Sequence, residues 1–493
     1  MSFLGCVTTG KGTLRNRIFN KCMVALMNFL SFEFSFFFLI LFLIYWLFSP
    51  WIKIQNLILL VTSYGLMLLS SWQSLTVLLL FSVCVCFLLQ LAKHTEFKKL
   101  SIHLLMFFTV IFFVMFKYYA SLRDDLQATL SEHHIAVTLP VLNVLLPIGL
   151  SFYIVNAVSL VVSVAKGEIK QSSIFNTLLY LNFFPTILSG PINRATRLLP
   201  QIEAKHSRQL TEWPRALFLI ALAIAKLFCL NEWLDDNYVS SVFMVPENYT
   251  GWQCILATYA WAWQIYFNFS GYTNLVTGIA ILLGFQIDIN FSHPYLAENI
   301  KDFWHRWHIS LSSFIRDYIY IPLGGSRRGW WHTQLNILIA MALSGIWHGT
   351  SMTFFIWGVI HGIGLITYNL WVSYRQTKKV IPIPGFIARL LTFHFVCLGW
   401  IFFKAGSVHD ALHMLEIISS AKVAQLTVGD MWGIAGFIVL LLIYPSLITL
   451  RENIANMLKR LEWYMVPFVI FSFLALVFFF SPSGVPGFIY ANF

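Results

Sequence analysis

Residues 301–332 read KDFWHRWHISLSSFIRDYIYIPLGGSRRGWWH, and residues 344–349 read SGIWHG. Placed on a helix at about 100° per residue, residues 302–317 of the first stretch separate into an apolar and a polar side. The apolar side carries Trp304, Trp307, His308, Leu311 and Ile315, and the polar side carries Asp302, Arg306, Ser310, Ser313 and Asp317. This separation predicts one amphipathic helix of the kind that lies at a membrane interface. Asp302 and Arg306 are spaced to form an ion pair, and Pro322 with Gly324 ends the helix.

The rest of the chain is dominated by long apolar runs. Of its 493 residues, 58% are apolar and 11% are charged, whereas soluble domains are about 45–50% apolar and about 25% charged. This composition excludes a soluble globular domain, a disordered chain, collagen and a coiled coil. The candidate spans are 34–49, 54–72, 73–92, 102–120, 140–165, 172–191, 214–230, 251–268, 271–289, 334–347, 353–373, 384–403, 430–448 and 466–482. We predict an all-α polytopic membrane protein with about 11 transmembrane helices plus re-entrant and interfacial helices.

The net charge of +11 comes from basic residues in short loops. This pattern is typical of cytoplasmic loops and of contact with anionic membrane lipids, so we expect no nucleic acid partner. Loops 93–101 and 193–215 are predicted to be cytoplasmic, and the acidic segments 121–138 and 231–250 external. Strict alternation then fails at 172–191, which we predict to be re-entrant.

The chain is predicted to form one membrane domain over residues 27–493. Residues 1–26 are a basic extension, which either tethers the protein or precedes the true start at Met27. The seven cysteines have no metal-ligand spacing, and we expect neither a disulfide framework nor a metal site.

His308 and His348 are the candidate catalytic residues. Ionisable side chains at membrane depth are rare and often functional, and a neutral imidazole suits general-base catalysis. Several alternatives remain open: each histidine is a hydrogen-bonded core residue, His305 joins both in a three-histidine metal site, or Ser344 pairs with His348 in a serine–histidine arrangement.

The stretch FWHRWHISLSSFIRDYIYIPLGGSRRG (303–329), followed by the WHG histidine, resembles the membrane-bound O-acyltransferase (MBOAT) family. It is closest to the bacterial alginate O-acetyltransferase and D-alanyl-transfer branch. Further matching stretches are 146–160, 183–194, 264–285, 398–412 and 488–493. The chain departs from the family at two places: it has Asn268 and Asn274 where relatives often carry Asp, and Ser163, Ala165 and Lys166 where relatives often have an Asp and Tyr-Arg.

The resemblance implies a ring of helices around a thin central partition, with a funnel on each face. It implies that His348 is the catalytic histidine and His308 the second one. An acyl thioester, expected to be acetyl-CoA, enters from the cytoplasm, with no bound cofactor. The acceptor is an extracytoplasmic glycan hydroxyl or a soluble partner acyltransferase, and the protein is placed in the bacterial cytoplasmic membrane. We expect substrate contacts from Trp304, Arg306, Arg316, Asn268 and Trp347.

Other functions remain open from the sequence. D-alanyl transfer from a carrier protein to a cell-wall polymer is the alternative within the enzyme class. A transporter or flippase without acyl chemistry also suits broken helices with polar residues at membrane depth. A scaffold that recruits a partner is the third class.

Overall fold

The computed structural model describes residues 29–135, 137–141, 149–170, 172–187, 189–379, 381, 383–481, 487 and 489. This part of the chain contains helices and no β-strand, which confirms the all-α prediction. The basic extension 1–26 lies outside the described residues, as does most of 488–493. The helices of eight or more residues are Phe32–Leu47, Ile52–Ser70, Trp72–Lys93, Lys98–Phe113, Tyr119–Glu132, Leu150–Ala165, Ile174–Leu181, Ala195–Ile202, Trp213–Met244, Gly251–Leu282, Trp330–His348, Met352–Lys378, Gly385–Lys404, Val408–Ser419, Val428–Arg460 and Met465–Phe480.

Seven helices among the described residues are long and apolar enough to cross a membrane. Shorter apolar helices accompany them at Phe32–Leu47, Leu150–Ala165, Ile174–Ile187 and Met465–Phe480. Large apolar side chains such as Phe36, Leu43, Phe471 and Phe479 are exposed on the outer surface, as contact with lipid requires. The protein is therefore a multi-pass integral membrane protein. The number of crossings and the ring around a thin partition stay predictions.

The helix Gly251–Leu282 contributes residues to both large hydrophobic cores. Its first part packs into an aromatic-rich core with the C-terminal helices, and its last turns pack into a second core with the N-terminal helices. Thr250 and Gln253 form a capping box that starts it. The prediction of two segments, 251–268 and 271–289, was wrong because Gly271 does not interrupt the helix. A Cβ at Gly271 would lie 2.8 Å from Leu227, so this glycine permits close packing.

Two segments predicted as external loops are largely helical. The helix Trp213–Met244 continues through most of 231–250, and Tyr119–Glu132 occupies most of 121–138. Hydropathy marks where a chain leaves the apolar layer, whereas a polar amphipathic stretch can continue as helix beyond that point. For the same reason the predicted span 430–448 lies within a longer helix, Val428–Arg460.

The segment 172–191, which was predicted to be re-entrant, is not one continuous helix. Ile174–Leu181 ends at Asn182, and a single turn, Phe184–Ile187, follows it. Eight helical residues rise about 12 Å, much less than the thickness of the apolar layer. The backbone amide of Phe184, just after the break, donates to the Ser63 hydroxyl at 3.2 Å, and the side-chain amide of Asn182 donates to the Ser63 carbonyl at 3.4 Å, so the break packs against the helix Ile52–Ser70. Whether the segment re-enters on one face stays a prediction.

Glycines allow close contact between the helices Trp330–His348 and Met352–Lys378. A Cβ at Gly345 would collide with the carbonyl oxygen of Phe354, and one at Gly358 would collide with that of Met341. Both obstacles are backbone atoms, which cannot turn aside as a flexible side chain can. The end of the first helix, which carries His348, is thus held against its neighbour.

We predict that Gly345→Ala lowers the free energy of unfolding by about 1–3 kcal/mol, because overpacking displaces one helix from the other. The matched control is Gly65→Ala in the helix Ile52–Ser70, where an added Cβ meets no atom within 4 Å. Thermal unfolding of the detergent-purified proteins measures both changes. A Gly345→Ala protein as stable as the Gly65→Ala control would contradict this packing.

Candidate active site

The stretch that carries His308 is two short helices and not one. Ile300–Arg306 ends at Trp307, and Ile309–Ile315 begins after His308, whose φ of 42° is left-handed. The prediction of one continuous amphipathic helix over 302–317 was therefore wrong. The predicted pair of Asp302 and Arg306 is confirmed, with 2.8 Å between the carboxylate and Nε.

A neighbouring backbone segment, residues 290–292, supplies hydrogen bonds on both sides of the break. The backbone amide of Ser292 donates to the carbonyl of Arg306 at 2.9 Å. The backbone amide of Ile309 donates to the carbonyl of Asn290 at 3.0 Å. Segment 290–292 thus bonds to both sides of the break and satisfies backbone groups that lose their helical partners. Periodicity along 302–317 could not show this, because the bonding partner lies earlier in the chain.

Asn290 fixes the orientation of His308. Its Oδ1 accepts from the Ser310 amide at 3.2 Å, from the Ser310 hydroxyl at 2.9 Å and from Nδ1 of His308 at 3.0 Å. Because a backbone amide can only donate, the Asn290 atom facing it is the oxygen. His308 therefore carries its proton on Nδ1, which leaves the lone pair on Nε2. Sequence reasoning missed Asn290.

His348 is the last residue of its helix and lies in an aromatic box. Its ring centroid is 5.0 Å from Trp347, 5.1 Å from Trp357 and 5.3 Å from Phe403. The residue is 3% exposed. The box confines the imidazole to one position and keeps bulk water away from it.

A lysine from a distant helix holds the end of the His348 helix. Nζ of Lys117 donates to the carbonyl of Trp347 at 2.7 Å and to that of His348 at 3.2 Å. The hydroxyl of Tyr118 lies within hydrogen-bond distance of the carbonyls of Ile346 and Gly349 and donates its one proton to either of them. These donors satisfy carbonyls that have no partner within the helix, and the lysine charge favours that end of the helix dipole.

The structure brings the two predicted catalytic histidines to one place. The ring of Trp347 lies 5.0 Å from that of His348 and 6.3 Å from that of His308. Phe269 closes the other side of His308 at 4.7 Å. His308, His348 and Trp347, three of the predicted site residues, therefore form one cluster, in which both imidazoles are buried and Trp347 is partly buried.

The other predicted substrate contacts lie farther out. Trp304 reaches the cluster through Trp357, at 5.7 Å. Arg306 is engaged by Asp302 and by the carbonyl of Ser292, away from the imidazoles. The side-chain amide of Asn268 hydrogen-bonds to the backbone of residues 487 and 489, so it links its helix to that C-terminal segment. Binding of substrate by these three residues stays a prediction.

Arg316 lines a polar cavity of about 500 Å³ beside the histidine cluster. Ile309 and Ser310, the residues after His308, form part of its wall. The charged residues of its wall are Lys166, Arg194, Arg197, Arg316, Glu168, Asp288 and Asp317. Asp317 is shared by Arg194 at 2.9 Å and Arg316 at 2.8 Å. Four cations against three carboxylates leave the wall with an excess positive charge.

A third buried histidine was not among the predicted site residues. His361 is 0% exposed, and its ring stacks edge-on against Trp304 at 5.1 Å and Trp357 at 5.0 Å. Neither ring nitrogen has a hydrogen-bond partner within the described residues. The rule that flagged His348, an ionisable side chain in an apolar run, would have flagged His361 as well.

The metal-site and serine–histidine assignments of the histidines find no geometric support among the described residues. His305 is exposed while His308 is 1% exposed, so these rings do not face a common ligand. The Ser344 hydroxyl is buried and makes no hydrogen bond within the described residues. In that same part of the chain, no group of three or more His, Cys, Asp or Glu side chains is placed to hold a metal ion.

Comparison with known proteins identifies the family of the chain. The model of the membrane-bound O-acyltransferase family matches residues 56–404, and the chain belongs to that family. It is 34% identical over 240 residues to the peptidoglycan O-acetyltransferase of Helicobacter pylori, covering 48% of this chain and 45% of that protein.

Two further relatives extend the comparison. A Pseudomonas putida protein named "Probable alginate O-acetylase AlgI" is 32% identical over 273 residues, 55% of each chain. The teichoic acid D-alanyltransferase of Bacillus subtilis is 27% identical over 277 residues, 53% of this chain and 69% of that protein. The chain spans about half the length of the two O-acetylating relatives.

We predict that Asn290→Leu slows acyl transfer by at least about 10-fold, because a positioned acid–base group contributes about 10²–10⁴-fold and His308 loses its orienting acceptor. Asn290→Asp keeps an oxygen at the same place and is expected to retain more activity than Asn290→Leu. Acyl-transfer rates of equal amounts of folded protein measure this. Equal rates for the two variants would contradict a positioning role for the oxygen.

We predict that Lys117→Met slows transfer while the protein still inserts, because the Trp347 and His348 carbonyls lose their capping donor. The control is Lys93→Met, which removes an exposed lysine from the end of another helix. The kcat is expected to fall more than the KM changes, since Lys117 contacts the backbone of the cluster. A Lys117→Met protein as active as the Lys93→Met control would contradict it.

Proposed function

We propose that this protein is an O-acyltransferase that moves an acetyl group from a cytoplasmic thioester, acetyl-CoA, to a hydroxyl on the other side of the membrane. The final acceptor is an extracytoplasmic glycan, reached directly or through a soluble partner acyltransferase. The bacterial cytoplasmic membrane is the location that such a reaction requires. The observation that carries the proposal is the buried pair of imidazoles beside a cationic polar cavity.

The polar cavity suits the donor. A coenzyme A thioester carries phosphates, and the cavity wall has more cations than carboxylates. Arg316 and Arg194 share one carboxylate, Asp317, so the pair keeps one net positive charge to attract a phosphate. Ser310 belongs both to the cavity wall and to the Asn290 hydrogen-bond network. A thioester that fills the cavity would therefore point its acyl end toward His308.

The histidines supply the acid–base chemistry. In the proposed step, His348 takes the proton of the acceptor hydroxyl, whose oxygen attacks the thioester carbonyl carbon. The carbon–sulfur bond then breaks, and the thiolate receives the proton from His348 and leaves as a free thiol. The new bond is an oxygen ester, so atoms and charges balance.

His308 is proposed to orient the acceptor. Because Nδ1 of His308 donates to Asn290, a neutral His308 presents a lone pair on Nε2 and no second N–H. It can accept a hydrogen bond from a hydroxyl, but in this state it has no proton to give to a developing oxyanion. The geometry therefore favours the orienting role over the oxyanion role.

D-alanyl transfer is the second candidate, favoured by the match to a teichoic acid D-alanyltransferase. The donor would then be an aminoacyl thioester on a carrier protein. Membrane vesicles given labelled acetyl-CoA or a D-alanyl-loaded carrier distinguish the two donors. Substrate flux through vesicles without any acyl transfer would instead favour a transporter.

We predict that His348→Ala loses about 10²–10⁴-fold in acyl transfer, the usual contribution of a positioned acid–base group. His308→Ala is expected to lose less. The control is His332→Ala, which removes an exposed histidine near the start of the same helix. The O-acetyl content of surface glycans, measured by mass spectrometry in a deletion strain carrying each variant, reports the result. Near-wild-type acetylation by a well-expressed His348→Ala protein would refute the mechanism.

A further inference from the structure

A larger cavity lies apart from the histidine cluster, among the helices Trp213–Met244, Gly251–Leu282, Val428–Arg460 and Met465–Phe480. Its volume is about 840 Å³, within the range of about 300–1,000 Å³ that is usual for ligand sites. Most of its lining is apolar, with Leu222, Phe437, Leu440 and Ile470 among the lining residues.

Aromatic side chains separate this cavity from the catalytic histidines. Tyr266 lines the cavity and packs against Phe291 at 5.8 Å. Phe291 packs against Phe269 at 5.0 Å, and Phe269 in turn lies against His308 at 4.7 Å. A ligand of this cavity would therefore not occupy the place of the reacting groups.

The cavity is cationic. Lys226 and Arg451 line it, and no Asp or Glu is among the described residues of its lining. Nζ of Lys226 donates to the hydroxyl of Ser270 at 3.0 Å and lies 5.5 Å from the centre of the Tyr266 ring, so these partners are neutral. Arg451, whose side chain is 41% exposed, has one ion-pair contact among the described residues, at 3.9 Å with its exposed neighbour Glu452. Cations in an apolar environment are costly unless an anion accompanies them.

Two ring nitrogens in the cavity lining are buried without a hydrogen-bond partner among the described residues. Nε2 of His293 and Nε1 of Trp263 are buried, and neither has a hydrogen-bond partner within the described residues. Trp263 is 0% exposed. Each of these two N–H or ring-nitrogen groups needs a hydrogen-bond partner, which a water molecule or a polar headgroup in the cavity would supply.

We propose that this cavity binds one anionic diacyl phospholipid, with its phosphate between Lys226 and Arg451 and its chains along the apolar lining. Basic pockets between transmembrane helices recognise anionic headgroups in this way. A lipid fits better than a soluble anion because two of the surrounding helices, Val428–Arg460 and Met465–Phe480, also expose large apolar side chains on the outer surface, among them Leu442, Leu450, Phe468 and Phe471. The same lipid would contact His293, three residues from Asn290.

Native mass spectrometry of the purified protein tests the proposal. The probes are phosphatidylglycerol, phosphatidylcholine with the same chains, and glycerol phosphate as a headgroup without chains. The wild type is expected to retain one phosphatidylglycerol at a concentration at least tenfold lower than phosphatidylcholine. Equal retention of the two lipids would overturn the proposal, and so would displacement of phosphatidylglycerol by an equal concentration of glycerol phosphate.

Variants locate the binding to this cavity. The double variant Lys226→Gln with Arg451→Gln is expected to lose the preference for the anionic lipid. The matched control, Lys459→Gln with Arg460→Gln, removes two exposed cations from the end of the helix that carries Arg451 and is expected to keep the preference. Unchanged preference in the first double variant would overturn the proposal.

A third variant blocks the apolar part without changing charge. Gly436 lines the cavity, and a Cβ placed on it meets no atom within 4 Å, so Gly436→Trp can fill the space while leaving the helices in place. Retention of phosphatidylglycerol is expected to fall at least tenfold. Full retention by a folded Gly436→Trp protein would place the lipid elsewhere and contradict the proposal.

Discussion

The hydrogen bonds that converge on the Oδ1 atom of Asn290 are the constraint on which the candidate active site depends. These bonds join the segment around Asn290 to the break at His308 between two short helices. They hold the His308 ring in place, and the His308 backbone has a left-handed conformation that few residues adopt. A left-handed histidine costs conformational energy, and the cost is repaid where surrounding contacts determine the position fully. Here the surrounding contacts also set which nitrogen of His308 carries the proton.

The rest of the site follows from how the apolar cores meet. The helix Gly251–Leu282 takes part in both large cores, and its Phe269 lies against His308. The His348 helix approaches from the other side, held by glycine contacts and by Lys117. An aromatic environment around both histidines excludes water, while the polar cavity beside Ser310 offers a charged ligand a way in. A water-poor environment around the histidines, next to a polar cavity that can hold a charged ligand, suits group transfer from a thioester.

Much of this was accessible from the sequence. Composition and apolar runs were enough for an all-helical membrane protein, and the rarity of histidines at membrane depth singled out His308 and His348. Contacts across long sequence separations were not accessible: Lys117 reaches a carbonyl 231 residues away, and no local pattern encodes that. Helical periodicity also failed at His308, because it describes one helix by itself and the break is stabilised by Asn290 from another segment.

The central claim, that Asn290 acts on the reaction through His308, is tested most directly by a double-mutant cycle. Acyl-transfer rates are measured for Asn290→Leu, for His308→Ala and for the protein with both changes. If the amide oxygen serves only to orient the imidazole, the double variant is no slower than His308→Ala alone. A double variant slower by the full product of the two single losses would show that the residues act independently, and would contradict the account.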